Sequence, residues 1–273
     1  MKKKIALLLA LCMAFGLTAC GAKEEPAVAP VEGDGTTFTV GFDAEFPPYG
    51  YRDDNGEYVG FDLDLAQEVC NRRGWTLVKQ PIDWDAKDME LSSGSIDCIW
   101  NGFTINGREA DYTWSVPYVD NSQVFVVAEN SGIATKADLA GKIVGVQKDS
   151  AALAALEDEE KQENLDLAAS FADMVQYADY NTGFMDLESG AIDALAMDIG
   201  VAAYQIGQRE GGYVILEEEL ALEQYGVGFL KGNDDLKNQV EETLMEMVED
   251  GTFMEIAEKY SDFGLVESVC LGK

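Results

Sequence analysis

Histidine is missing from all 273 residues of the chain. Without an imidazole, Ser–His–Asp and Cys–His catalysis are excluded, as are zinc sites built on histidine. Positive charge is scarce: 19 Lys and Arg face 51 Asp and Glu, a formal net charge of −32. Such a surface repels a phosphate backbone, so no nucleic-acid partner is expected. No apolar run reaches the roughly 20 residues that a membrane-spanning helix takes. What is present is ordinary for a folded protein. With 47% apolar and 26% charged residues the chain can bury a core, and its length suits one large domain or two of moderate size.

The N-terminus reads as an export signal. Lys2, Lys3 and Lys4 supply a positive start, and residues 5–17 form an uncharged apolar stretch too short to cross a bilayer. It ends in Leu17-Thr18-Ala19-Cys20, which resembles a bacterial lipobox. That resemblance implies removal of residues 1–19, acylation of Cys20 with chains such as palmitate, and an extracytoplasmic protein held at the cell membrane. An ordinary signal peptide with an incidental Cys is the plainer alternative. Residues 20–37 mix Pro, Gly, Ala and charge without period and read as a flexible tether. Beyond it, Cys70, Cys98 and Cys270 are an odd number; Cys70 and Cys98 could pair in a disulfide, or all three could remain thiols.

From Phe38 onward, strand text alternates with helix text. Residues 38–42 alternate like a strand. Residues 60–74 read as a helix, with Asp62 and Asp64 in its first turn, Arg72 and Arg73 in its last, and Gly74 as a stop. Leu65, Ala66, Val69 and Cys70 share one of its faces. Further strands are expected at 75–79, 96–100, 142–147 and 192–197 with helices between, a pattern of parallel sheets with right-handed crossovers. The pattern L-x-S-G-x-I-D occurs at 91–97 and again at 187–193. A repeat spaced so widely is no solenoid unit and fits two α/β lobes built alike. Two acidic amphipathic helices close the chain: 234–249, with Leu236, Val240, Leu244, Met247 and Val248 on one stripe, and 252–260, with Phe253, Ile256 and Ala257.

The segment Gly60-Phe61-Asp62-Leu63-Asp64-Leu65 with Val69 resembles the signature of the bacterial extracellular solute-binding proteins of family 3, the amino-acid receptors of ABC importers. Other stretches are similar to that family in its own order: Asp43 to Tyr49, Asn101 to Thr104 followed by Arg108, Met197-Asp198, Gln224 to Phe229, and Asp250 to Tyr260. The resemblance covers residues 38–264. It implies the two-lobed, type II periplasmic-binding-protein fold, with two segments crossing between the lobes near 117–123 and 222–226. Lobe 1 would take residues 38–120 plus 226–267, and lobe 2 residues 121–225. It implies ABC permease subunits as partners. A monomer without cofactor, metal or catalytic residue is expected.

A free α-amino acid presents a carboxylate, an ammonium and a side chain. The carboxylate calls for a cation with paired donors, which Arg offers as a fixed fork. Arg108 follows the strand expected at 96–100, at the edge where open α/β sheets bind ligands, and matches the family's carboxylate-binding Arg. The spacing from Thr104 is one residue shorter than usual in the family; an ion pair to Glu109 or Asp111 is the alternative role. Asp198 matches the ammonium-binding Asp, or else caps the helix beginning at Ile199. Phe46 and Trp84 match the aromatic positions that sandwich the ligand. Gly102 is expected to offer a carbonyl, Thr104 a hydroxyl, and Ser150 its N–H at a helix start. Asp43, Glu45, Asn101, Gln147 and Trp100 are candidates for contact with the ligand side chain. An anion at Asp43 argues against an acidic ligand and leaves basic amino acids, glutamine or cystine. Two other functions stay in view. One is a cyclohexadienyl-dehydratase-like enzyme on the same fold, in which Asp43, Glu45 or Asp198 would need a raised pKa to act as general acid. The other is a sensory ligand-binding module.

Overall fold

The alternating residues after the tether form strand Thr37–Phe42, flanked in parallel by Thr76–Pro81 and Cys98–Ile99. This computed structural model describes residues 35–209 and 211–273, so the signal, Cys20 and nearly all of the tether lie outside it. Gly228–Phe229 and Thr113–Trp114 complete a five-stranded sheet, each antiparallel to the strand it joins. In the second sheet Asp173–Tyr177, Ile143–Gln147 and Ala194–Asp198 run parallel, followed by the antiparallel ten-residue strand Val119–Ala128. Tyr213–Ile215 and Ala221–Tyr225 both pair antiparallel with the far side of that long strand.

The expectation of parallel sheets is thus correct only for three neighbouring strands at one side of each sheet. The strands linking the two lobes cannot be parallel, because one leaves the first lobe and the other returns to it. They lie side by side, with Val119 opposite Tyr225 and Gln123 opposite Ala221.

Helix Phe61–Arg73 ends at Gly74, which is left-handed at φ 68°, and buries Phe61, Leu63, Leu65, Ala66, Val69 and Cys70. Helices Asp234–Asp250 and Thr252–Glu258 pack on it through Val240, Leu244, Met247, Phe253, Ile256 and Ala257, with Leu236 and Val248 half-buried at the margin. Its basic end is tied down: Arg72 pairs with Glu68 and Asp250 at 2.8 Å each, and Arg73 with Glu242 at 3.1 Å. Cys70 and Cys98 are buried, unbridged thiols, and Cys270 is unbridged too. Burial pushes Cys70 up to about 12 and Cys98 well above its ordinary value, so neither supplies a thiolate at neutral pH.

The repeated motif is a repeated piece of structure. Helices Lys87–Ser93 and Tyr180–Ser189 end at Gly94 and Gly190, left-handed at φ 77° and 76°. Ile96 and Ile192 then turn inward and are buried. Asp97 and Asp193 clasp the neighbouring strand: Asp97 Oδ2 accepts from Thr39 N at 2.7 Å, and Asp193 Oδ2 from Ile143 N at 2.8 Å. The clasped strands correspond as well, Thr39-Val40-Gly41 to Ile143-Val144-Gly145. Each glycine makes room for its isoleucine. A Cβ on Gly145 would stand 2.6 Å from Ile192 Cδ1, and one on Gly41 would run into Ile96 Cδ1 more closely still. Gly41→Ala and Gly145→Ala are each expected to destabilise the fold by about 1–3 kcal/mol, the range for overpacking. Adding Ile96→Val to Gly41→Ala removes the clashing methyl and should recover part of that loss in urea unfolding; strictly additive losses would contradict the lock.

Candidate ligand-binding site

The long strand Val119–Ala128 runs through the middle of the site, and its register gathers four polar side chains. Gln123 stands opposite Asp198 on one neighbour, and Asn121 opposite Glu223 on the other. Opposed residues share a face, as do residues two apart on one strand. Asn121 Nδ2 donates to Asp198 Oδ1 at 3.0 Å and to Glu223 Oε1 at 2.7 Å. Gln123 Nε2 donates to the same two oxygens at 2.7 and 2.8 Å. The Tyr225 hydroxyl donates to Asp198 Oδ1 at 2.5 Å, that of Tyr180 to Asp198 Oδ2 at 3.2 Å, and that of Thr104 to Glu223 at 3.0 Å. Asp198 occupies the N-cap position of helix Ile199–Gly207, yet its side chain makes no capping bond.

Aromatic rings close this pair off from water. Tyr49 stands edge-on to Tyr225 at 5.2 Å, and Phe46 lies 5.7 Å from Tyr49 and 5.9 Å from Tyr180. Asp198 is 4% and Glu223 6% exposed, and no Lys or Arg among the described residues pairs with either. Burial therefore dominates their titration. It pushes the Glu223 carboxyl up to about 8, with the charge of Asp198 adding to it, and it raises Asp198 despite the bonds that carboxyl accepts.

Asp62, a helix-start acid by its sequence position, instead builds the site from behind. It is fully buried, and its Oδ2 accepts from Gly102 N at 2.5 Å and from the Tyr118 hydroxyl at 2.9 Å. Burial holds this carboxyl up to about 7. The bond fixes the loop after strand Cys98–Ile99, where Gly102 sits at φ 54° and a Cβ would come 2.8 Å from the Phe46 ring. Only glycine fits there.

The other end of the site is acidic as well. Buried Asp43 accepts from Glu45 N at 2.8 Å and from Gln147 Nε2 at 2.7 Å, a contact from the first lobe to the second. Its own N–H donates to Asn101 Oδ1 at 2.7 Å. Burial pushes Asp43 up to about 6, and Glu45, bonded to Asn181, is raised by burial and then by the nearby charge of Asp179. Asn101 Nδ2 and Trp100 Nε1 are buried donors without a partner.

Arg108, Trp84 and Ser150 meet around a residue the sequence did not single out, Asp149. Its carbonyl accepts from Arg108 Nη2 at 3.1 Å and from Trp84 Nε1 at 3.2 Å, and its carboxylate pairs with the buried Lys87. Arg108 makes no ion pair with Glu109 or Asp111; its other nitrogen reaches the Thr104 carbonyl at 3.4 Å, and the guanidinium lies 5.3 Å over the Phe103 ring. Ser150 caps helix Ala151–Glu157, its Oγ accepting from Leu153 N at 3.1 Å. Trp84 is buried beside Arg108, both donating to the Asp149 carbonyl. It sits edge-on to Phe103 at 5.4 Å in a small separate core with Leu91, Ile96, Ile99 and Tyr112. The walls of the carboxylate end are Phe46, Tyr49, Tyr180 and Tyr225. Sequence reading missed Tyr180, Glu223, Asn121 and Gln123. The last two leave one signal, polar residues two apart entering an apolar strand; Tyr180 leaves none.

Comparison with known proteins identifies the family. The pattern of the bacterial extracellular solute-binding proteins, family 3, matches residues 38–264. The L-cystine-binding protein TcyJ of Escherichia coli K12 is 30% identical over 255 residues, covering 92% of each chain. The histidine-binding periplasmic protein of Salmonella typhimurium is 30% identical over 272 residues, covering 96% of this chain and 98% of its own. An ABC uptake transporter substrate-binding protein from Streptococcus pneumoniae, solved with bound histidine, superposes with a TM-score of 0.76 at 35% identity, over 82% of this chain and 92% of that one. The chain belongs to the bacterial extracellular solute-binding proteins, family 3.

Proposed function

We propose that the chain is the extracytoplasmic amino-acid receptor of an ABC importer. It binds a polar or basic L-amino acid between lobe 1 (38–120 plus 226–267) and lobe 2 (121–225) and delivers it to the permease subunits. One observation carries this reading: buried carboxyls stand at both ends of the site, Asp198 and Glu223 at one and Asp43 at the other, with no cation paired to them among the described residues. An α-ammonium answers the first end, and a side chain with a positive group or hydrogen-bond donors answers the second. Arg108 takes the ligand carboxylate, exchanging the Asp149 carbonyl for a charged partner, with the Ser150 N–H beside it. Phe46 and Trp84 pack on the aliphatic part, and the Gly102 carbonyl and Thr104 hydroxyl supply further polar contact. Glu45, Asn101 and Gln147 line the side-chain end.

The relatives support the class, since they are named for binding cystine or histidine. No catalytic step is proposed: Asp43, Asp198 and Glu223 are taken as acceptors for the ligand, and Asp62 holds the Gly102 loop. The protein acts as a monomer, held to the cell membrane by the lipid on Cys20.

Thermal unfolding against a panel of L-amino acids tests the reading. Ligand at 100 times Kd stabilises by about 2.7 kcal/mol, and each kcal/mol moves the midpoint by roughly 2–4 °C at this size. Arginine, lysine, histidine, glutamine or cystine should shift the midpoint, and aspartate and glutamate should not. A flat panel, or a lead for the acidic pair, would refute it. Arg108→Ala is expected to weaken the leading ligand by about 30-fold or more while leaving the ligand-free midpoint in place; unchanged affinity would remove Arg108 from the site. Cys20→Ser should move the protein from the membrane fraction to the soluble one, and continued sedimentation with membranes would rule out the lipid anchor.

A further inference from the structure

We propose that Glu223 is a ligand-binding residue: with Asp198 it forms a two-carboxylate seat for the α-ammonium of the amino acid, and the ammonium displaces a proton that the two carboxyls otherwise share. This rests on the amino-acid reading above and deepens it at the same site.

The geometry of the pair is unusual. Asp198 Oδ1 and Glu223 Oε1 both lie within 3.0 Å of the same two amide nitrogens, Asn121 Nδ2 and Gln123 Nε2. Two carboxylates held so near each other, out of water and without a cation, do not both ionise; they hold one proton between them. The groups facing them do not relieve this. Tyr49, Tyr180 and Tyr225 surround the pair as neutral phenols, and the acid behind Tyr49 is Asp62. Arg108 and Lys87 are engaged at Asp149.

A second, independent observation points to a donor-rich ligand. Asn121 Oδ1 and Gln123 Oε1, the acceptor halves of the two amides that hold the pair, are buried without any hydrogen bond. Their residues are 6% and 0% exposed. Two carboxyls and two unused acceptors on one sheet face call for several N–H donors and positive charge, which an ammonium provides. Thr104 donates to Glu223 from the first lobe, so the seat also lies where the lobes meet.

The proton balance sets the sign of the pH effect. The ammonium stays protonated and forms only N–H···O bonds, while the shared proton leaves to solvent. Affinity should therefore rise with pH, by up to about one log unit per pH unit, until Glu223 ionises unaided near 8. Asp43 adds a step of the same sign nearer 6, which Asp43→Asn removes on its own.

Calorimetry of the purified chain with L-arginine and L-histidine, across about pH 6 to 8 in buffers of low and high ionisation heat, decides the matter. Near pH 7, above the Asp43 step and below that of Glu223, binding should release close to one proton, and Glu223→Gln should remove most of that release. Because Gln imitates the protonated acid, the variant should approach the parent near pH 6 and fall about tenfold or more below it near pH 8. Glu223→Asp should retain the pH slope. The same affinity profile and proton count in Glu223→Gln would overturn the proposal. If neither amino acid binds the parent chain, the ligand reading fails separately. The pair is then judged by carbon-13 NMR of its carboxyls without ligand: a proton retained above about pH 6 supports the shared site, and two fully ionised carboxylates there refute it.

Discussion

A carboxylate withdrawn from water with no cation beside it is costly, and four carboxyl groups among the described residues are placed so. Asp43, Asp62, Asp198 and Glu223 are each 6% exposed or less. Asp62 is answered from within, by Gly102 N and the Tyr118 hydroxyl, and its role is to hold a loop. The other three face the site and are answered only by neutral donors: three amides, tyrosine and threonine hydroxyls, and one backbone N–H. Much of the surrounding structure serves that arrangement. The register of three antiparallel strands places the amides, and a cage of tyrosines excludes water. A positively charged ligand gains free energy from this unmet demand.

The same demand explains why two lobes are useful. Without a ligand the lobes meet through polar contacts, Asp43 with Gln147, Glu45 with Asn181, Thr104 with Glu223, and Asp149 with Trp84, Lys87 and Arg108, and through the ring pairs Phe46–Tyr180 and Tyr51–Tyr204. Polar contacts of this kind contribute about 1 kcal/mol each at most, and less where water reaches them. A zwitterion that meets anions of the second lobe and of the first at once supplies the differential affinity that closure needs. In the proposed binding mode Arg108, whose fork rests on two carbonyls, exchanges them for the ligand carboxylate.

Much of this was legible in the chain and some was not, for a physical reason. Local periodicity exposed the first helix, its Gly74 stop, the apolar stripes of the last two helices, and the echo at 91–97 and 187–193, because each depends on residues close in sequence. The parallel sheets were half right. Alternation reports that a strand exists and which face is buried, but not the direction of the strand beside it. Glu223 was invisible because its meaning comes from lying opposite Asn121, about a hundred residues away along the chain. Asp62 was read as an acid suited to a helix start; only the fold reveals that its oxygen reaches Gly102. The meeting of Trp84 and Arg108 at the Asp149 carbonyl was likewise hidden, because Asp149 lies 65 and 41 residues away from them.

The central claim is that buried carboxyls hold the ligand's α-ammonium. Its most direct test is a two-by-two calorimetric cycle, with L-arginine and its α-desamino analogue titrated into the parent chain and into Asp198→Asn. Removing the amino group should lower affinity for the parent by about a hundredfold or more, and should cost the Asp198→Asn chain far less, so the two losses are not additive. Equal losses in both chains would place the ammonium elsewhere and contradict the account.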